Sequence, residues 1–258
     1  MTVPLIAATA PAGPEGAPLL LLGPSLGTST ILWDAAAALL QSRYRTVSWD
    51  LPGHGRSPAP SEPFSMAELA DAVARVLDEL GESHALFAGV SMGGAVGLEL
   101  LLGHPDRIDA AAIICSGAVI GTPAGWTERA AVARSTGTAS LVVPSAQRWF
   151  APDSMARSPE ITGRLLHSLR DADDEGYARC CEALAGYDVR SQLGRITAPV
   201  LAVWGEYDEV TPEASAAQIA SGVARGRVAE VRDAGHLAPA EQPERIAELL
   251  IAHFEESR

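Results

Sequence analysis

The chain contains no lysine. All 19 of its basic residues are arginine, against 32 acidic ones, for a formal net charge of −13. A surface this acidic repels a nucleic-acid backbone and an anionic membrane, so neither is an expected partner. Long apolar runs are missing too: none approaches the roughly 20 residues that span a bilayer. The first basic residue is Arg43, so the positive start of a secretory signal is not seen. Only three cysteines occur, Cys115, Cys180 and Cys181, and two of them are adjacent. An odd count excludes a closed disulfide framework, and the spacing is not that of a metal site. The expectation is buried free thiols in a cytoplasmic protein that needs no metal or cofactor.

What is present is an alternation of short apolar runs and helical patterns. Pro18–Leu22, Tyr44–Trp49, Ala85–Val90, Ala110–Cys115, Pro199–Trp204 and Arg227–Val231 read as strands. The residues before Ala17 could add an edge strand. Between the runs, Thr30–Leu40 has helical spacing, and Ser65-Met66-Ala67-Glu68 is a capping box for a helix ending at Gly81,. Thr211-Pro212 predicts a helix with proline at its first position, closed by Gly222,. Pro243 opens a last helix with Ile246, Leu249, Leu250 and Phe254 on its buried side. Such alternation predicts an α/β fold with a mostly parallel sheet flanked by helices.

Residues 118–190 break the rhythm with helical patches at Thr127–Arg134, Ser140–Phe150, Pro159–Leu169 and Asp174–Leu184. This segment carries 8 Arg against 9 acids, while the remainder carries 11 against 23. The expected organisation is a core from residues 1–117 and 191–258 and a helical lid inserted at 118–190. A nearly neutral lid on an acidic body suits a site that admits an anion.

The stretch that organises the rest is Gly89-Val90-Ser91-Met92-Gly93-Gly94, between a strand and an Ala/Leu-rich helix. Glycines on both sides of Ser91 allow a turn too tight for side chains, and would leave the Ser91 hydroxyl exposed above a helix N-terminus. Asp208 and His236 follow two later strands, so all three residues fall at the C-terminal edge of the sheet,. Ser91 would attack, His236 would take its proton, and Asp208 would orient the imidazole. Glu206 and Glu209 are weaker candidates for the acid. His54 reads as a buried turn histidine, and His84, His104, His167 and His253 as solvated ones. The N–H groups of Met92 and Leu26 are the expected oxyanion donors.

These residues give the chain a resemblance to the α/β-hydrolase superfamily, carried by Asp50, Gly53-His54-Gly55 and Ser57, the turn at Ser91, Gly205 with Asp208, and Gly235-His236. Within it the chain resembles the 3-oxoadipate enol-lactone hydrolases. That narrower likeness rests on Ser25-Leu26-Gly27-Thr28, Trp126, Arg129, Arg148-Trp149-Phe150, Glu175-Gly176-Tyr177 and Cys181-Glu182-Ala183. Pro24 stands where that family carries asparagine. The resemblance implies opening of a small anionic lactone through an acyl-enzyme. Ser25, Trp126, Arg129, Arg134 and Trp149 are then the expected substrate contacts, the arginines for its carboxylate. Some members carry a carboxymuconolactone decarboxylase domain after the hydrolase; here such a partner is expected as a fused or separate protein. Other ester, lactone or C–C bond hydrolysis, perhydrolysis, and ligand reception on the same scaffold remain open alternatives.

Overall fold

The computed structural model describes residues 3–257, so the outermost bounds of the expected core lie outside the described residues. The apolar runs form six strands: β1 Leu19–Gly23, β2 Arg45–Ser48, β3 Ala85–Val90, β4 Ile108–Ile114, β5 Pro199–Gly205 and β6 Arg225–Val231. They make one sheet in the order β2-β1-β3-β4-β5-β6, every pair parallel. Parallel strands need crossovers that put helices on the faces, so central strands are buried on both sides and read as continuous apolar runs. Leu20, Leu21 and Leu22 show the result, each 0% exposed; burying such a side chain contributes about 2 kcal/mol. The segment before β1 runs antiparallel along β2 and the residue after it, with isolated bridges at Ala8 to Trp49 and Ala12 to Thr46 and Thr9 N–H donating to Ser48 O at 2.8 Å.

The helices, in chain order, are α1 Asp34–Leu40, α2 Met66–Leu80, α3 Met92–Gly103, α4 Pro123–Thr136, α5 Val142–Trp149, α6 Ser154–Arg157, α7 Pro159–Arg170, α8 Asp174–Ala185, α9 Glu213–Gly222, α10 Ala238–Glu241 and α11 Pro243–Glu256. The capping box is formed: Ser65 Oγ accepts from Glu68 N–H at 3.1 Å, and Glu68 Oε2 accepts from Ser65 N–H at 2.8 Å. Such a cap contributes about 1 kcal/mol. Gly81 ends the same helix with φ +71°. Helices α4 to α8 occupy the stretch between β4 and β5, where no strand is found among the described residues.

Three local expectations are corrected, and one element is added. Pro212 is the N-cap of α9, outside the helix rather than its first residue. The first inserted helix starts at Pro123, four residues before Thr127, because Thr122 caps it by accepting from Gly125 N–H. The short helix α6 was not legible as a separate element. His253 is 3% exposed, and its Nε2–H donates to Ala111 O at 3.1 Å, so it belongs to the core rather than to solvent. All three cysteines are buried and free.

Candidate active site

Ser91 lies at the junction of β3 and α3 with φ +53° and ψ −115°, a conformation L-residues adopt only when their surroundings force it,. Its N–H donates to Ile114 O at 2.9 Å, and its carbonyl accepts from Ser116 Oγ at 2.7 Å. The flanking glycines are steric necessities. A Cβ on Gly89 would lie 2.4 Å from Gly93 O, and one on Gly93 would lie 2.6 Å from Pro24 O. The hydroxyl is not exposed as the sequence suggested: Ser91 is 6% exposed beneath the inserted helices. Among the described residues no protein group is hydrogen-bonded to Ser91 Oγ, which faces a cavity that His236 also lines.

Asp208 and His236 end β5 and β6 and meet directly. His236 Nδ1 lies 3.0 Å from Asp208 Oδ2 and 3.1 Å from Oδ1. The carboxylate also accepts from Val210 N–H at 2.8 Å, Thr211 N–H at 3.1 Å and Thr211 Oγ at 2.7 Å. Burial alone would raise the Asp208 pKa; the charge of His236 and these hydrogen bonds more than offset it and hold Asp208 below the usual range,. Thr211 was missed from the sequence. Its signal is positional: a hydroxyl three residues after an aspartate can close a turn onto the carboxylate.

The loop after β1 carries Ser25 and Leu26 along the cavity wall. His54 holds this loop, its Nε2 accepting from Gly27 N–H at 3.1 Å while Nδ1–H donates to Pro52 O at 2.9 Å. Burial lowers the His54 pKa to about 4, so the ring is neutral and its tautomer fixed. Asp50 secures the far end of the loop, accepting from Thr30 N–H at 2.8 Å. The Leu26 N–H has no hydrogen-bond partner among the described residues, and the N–H of Met92, first residue of α3, has no carbonyl one turn back to bind,.

The cavity holds about 40 Å³, room for a few waters,. Trp126, Arg129 and Trp149 form its roof, joined by Ser145, Arg148 and Tyr177. Arg129 Nε donates to Tyr177 Oη at 2.6 Å and a terminal nitrogen donates to Ser145 Oγ at 3.0 Å. Both partners are neutral, and no carboxylate pairs with Arg129 among the described residues. Arg134 is corrected: it points away from the cavity, bound by Glu175 at 2.6 Å and Glu182 at 2.6 Å. Arg148, on the cavity wall and exposed, was missed as a contact. A larger cleft of about 770 Å³ runs between β6 and α11 but contains no serine or cysteine. Among the described residues no group of three His, Cys, Asp or Glu side chains could hold a metal, and no helix is long and apolar enough to cross a membrane.

A parallel sheet with a strained serine at the end of its third strand and an Asp–His pair beyond two later ones defines a class, and residues 18–243 match the family described as alpha/beta hydrolase fold. The chain belongs to the α/β hydrolases. It is 37% identical over 232 residues to 3-oxoadipate enol-lactonase 2 of Acinetobacter baylyi, spanning 90% of this chain and 86% of that protein. It is 35% identical to 3-oxoadipate enol-lactonase 1 of the same organism, over 92% and 88% of the two chains. The crystal structure of the enol-lactonase from Burkholderia xenovorans LB400 superposes with a TM-score of 0.93 at 32% identity, over 97% and 96% of the two chains.

Proposed function

We propose that this protein opens the lactone ring of 3-oxoadipate enol-lactone to 3-oxoadipate, in the degradation of aromatic compounds, through an acyl-enzyme on Ser91. The observation that carries this is an uncompensated cation, Arg129, on the same cavity as Ser91 and the buried His236–Asp208 pair. His236 takes the Ser91 proton as Oγ attacks the lactone carbonyl. The oxyanion is held by the N–H groups of Leu26 and Met92, each worth about 10²–10³ in rate. Collapse breaks the ring C–O bond and expels an enolate, a better leaving group than an ordinary alkoxide. Protonation from His236 and tautomerisation give a ketone that does not readily re-close. Water, deprotonated by His236, then attacks the ester and releases the second carboxylate.

Arg129 is our assignment for the substrate carboxylate, with Ser25, Trp126 and Trp149 as pocket walls. The helical segment 118–190 acts as a lid, and it moves to admit a ligand larger than a 40 Å³ cavity holds. The buried free thiols fit a reducing compartment, and we place the enzyme in the cytoplasm, acting in one pathway with a fused or separate carboxymuconolactone decarboxylase. Steady-state turnover of the enol-lactone against p-nitrophenyl acetate tests the assignment. The lactone should be much the better substrate, and Ser91→Ala should lower kcat by about 10⁶-fold. Equal or better turnover of the simple ester would reject the lactone identity; full activity of Ser91→Ala would reject the nucleophile.

A further inference from the structure

His236 is held from two sides. Its ring is bound to Asp208, but its backbone is bound to the lid. The His236 N–H donates to Trp149 O at 2.9 Å. One residue earlier, Gly235 N–H donates to Glu241 Oε2 at 2.8 Å. The other oxygen of Glu241 accepts from Ala151 N–H at 2.8 Å and from Ser154 Oγ at 2.6 Å. One half-buried carboxylate therefore joins the loop before α10 to the lid segment that follows α5. The two backbones touch with no room for a side chain: a Cβ on Gly235 would meet Trp149 O at 2.8 Å and Ala151 N at 2.9 Å. Arg157 adds a bond to Ser154 Oγ at 3.1 Å from the same side.

The chemistry of the joint requires an anion. Two N–H groups and a hydroxyl converge on Glu241, and only a carboxylate offers acceptors alone. Glutamine keeps the shape but puts an NH₂ against at least one N–H. Trp149 is the wall of the cavity and also, through its carbonyl, the anchor of the His236 backbone.

We propose that Glu241 is a positioning residue that fastens the His236 loop to the end of α5, so that the imidazole and the Trp149 wall move as one body. This rests on reading His236 as the general base. Lid seating then sets the base, and a poorly seated lid gives a poorly aimed imidazole.

The test is Glu241→Gln, with circular dichroism as the control for folding. Two rates are measured: kcat on the enol-lactone, and labelling of Ser91 by a fluorophosphonate, which needs the base and not the lactone site. Misplacing a catalytic group costs up to about 100-fold, so kcat and labelling should fall together by about 10–100-fold. A lowered Tm with both rates unchanged would make Glu241 merely structural and overturn the proposal. A raised KM with unchanged labelling would confine Glu241 to the lid and overturn the coupling. If Glu241→Gln does not fold, Ser154→Ala removes one donor from the joint; both rates should then fall about 3-fold, and wild-type values in both overturn the idea. The outcome for the underlying reading is separate, because normal turnover by Ser91→Ala would reject the triad whatever Glu241 does.

Discussion

The rim of the sheet and the outer face of the helices above it are held by different forces. At the rim, backbone meets backbone: the turn at Ser91 is closed by Gly93 N–H to Pro24 O at 3.0 Å and by contacts that exclude any Cβ. Above it, α4 is tied to α8 by side-chain ion pairs of Arg134 with Glu175 and Glu182, all at least a third exposed. Exposed pairs of this kind contribute about 0–1 kcal/mol each. Backbone contacts without clearance leave one arrangement, whereas weak surface pairs leave several of similar energy. Bond making belongs on the first kind of structure, and the lid movement we propose on the second.

The largest effect expected from this contrast is at the rim. Asp208→Asn keeps the shape of the Thr211 turn but removes the charge and turns a donor toward its neighbours. We expect kcat to fall by about 10⁴-fold with KM nearly unchanged, because the wrong tautomer of His236 is favoured while the pocket stays intact. Steady-state kinetics on the enol-lactone check it. A loss below tenfold would mean that the rim is not where the chemistry is set.

Acid should act at the rim and beneath the sheet, since each holds a buried neutral histidine. His54 joins the rim to the lid, its ring 5.8 Å from that of Tyr177 on α8; His253 lies under the sheet against Ala111 O. Burial holds each at about 4 against an ordinary 6.5. As pH falls below 6.5, the unfolded chain takes up protons that the folded one refuses until about pH 4. Stability therefore falls through that window, by about 3 kcal/mol per histidine. Burial raises Glu99 and Glu241, which pull the other way near their own titrations. Urea unfolding at pH 7 and pH 4 measures the loss, and His253→Gln should remove about half of it. An unchanged pH dependence in that variant would assign the whole loss to the joint with the lid.

The same contrast governs what could be read from the sequence. The turn at Ser91 was legible because glycines that a fold cannot replace are visible as residues. The four central strands were legible because burial on both faces leaves nearly uninterrupted apolar runs, and the helix from Ser65 to Gly81 announces both ends chemically. His253 was misread although Ile246 and Leu250, seven and three residues before it, put it on the buried face of α11. Thr211 needed the turn geometry, not only the residue type. In the lid, the identity of the arginines was visible but their direction was not, because that depends on which face α8 covers.

Arg129 and Arg134 give the smallest effects and the sharpest form of the comparison. They stand five residues apart on α4, hence about 140° apart around the helix, so one direction cannot serve both. Arg129 faces the cavity, held by neutral oxygens of Tyr177 and Ser145 that leave its charge unspent. Arg134 faces outward, its charge spent on Glu175 and Glu182, which is why its proton is held more tightly than in a free arginine. Charge-assisted hydrogen bonds contribute about 1.5–3 kcal/mol, so Arg129→Ala should raise KM for the anionic lactone about 10–100-fold with kcat within about 3-fold. KM for neutral p-nitrophenyl acetate should stay the same. Arg134→Ala should leave KM alone and cost at most about 1 kcal/mol of stability, read from the urea midpoint. Equal KM effects from the two variants would mean that the lid acts through its net charge rather than through one aimed guanidinium, and Arg129 would lose its assignment.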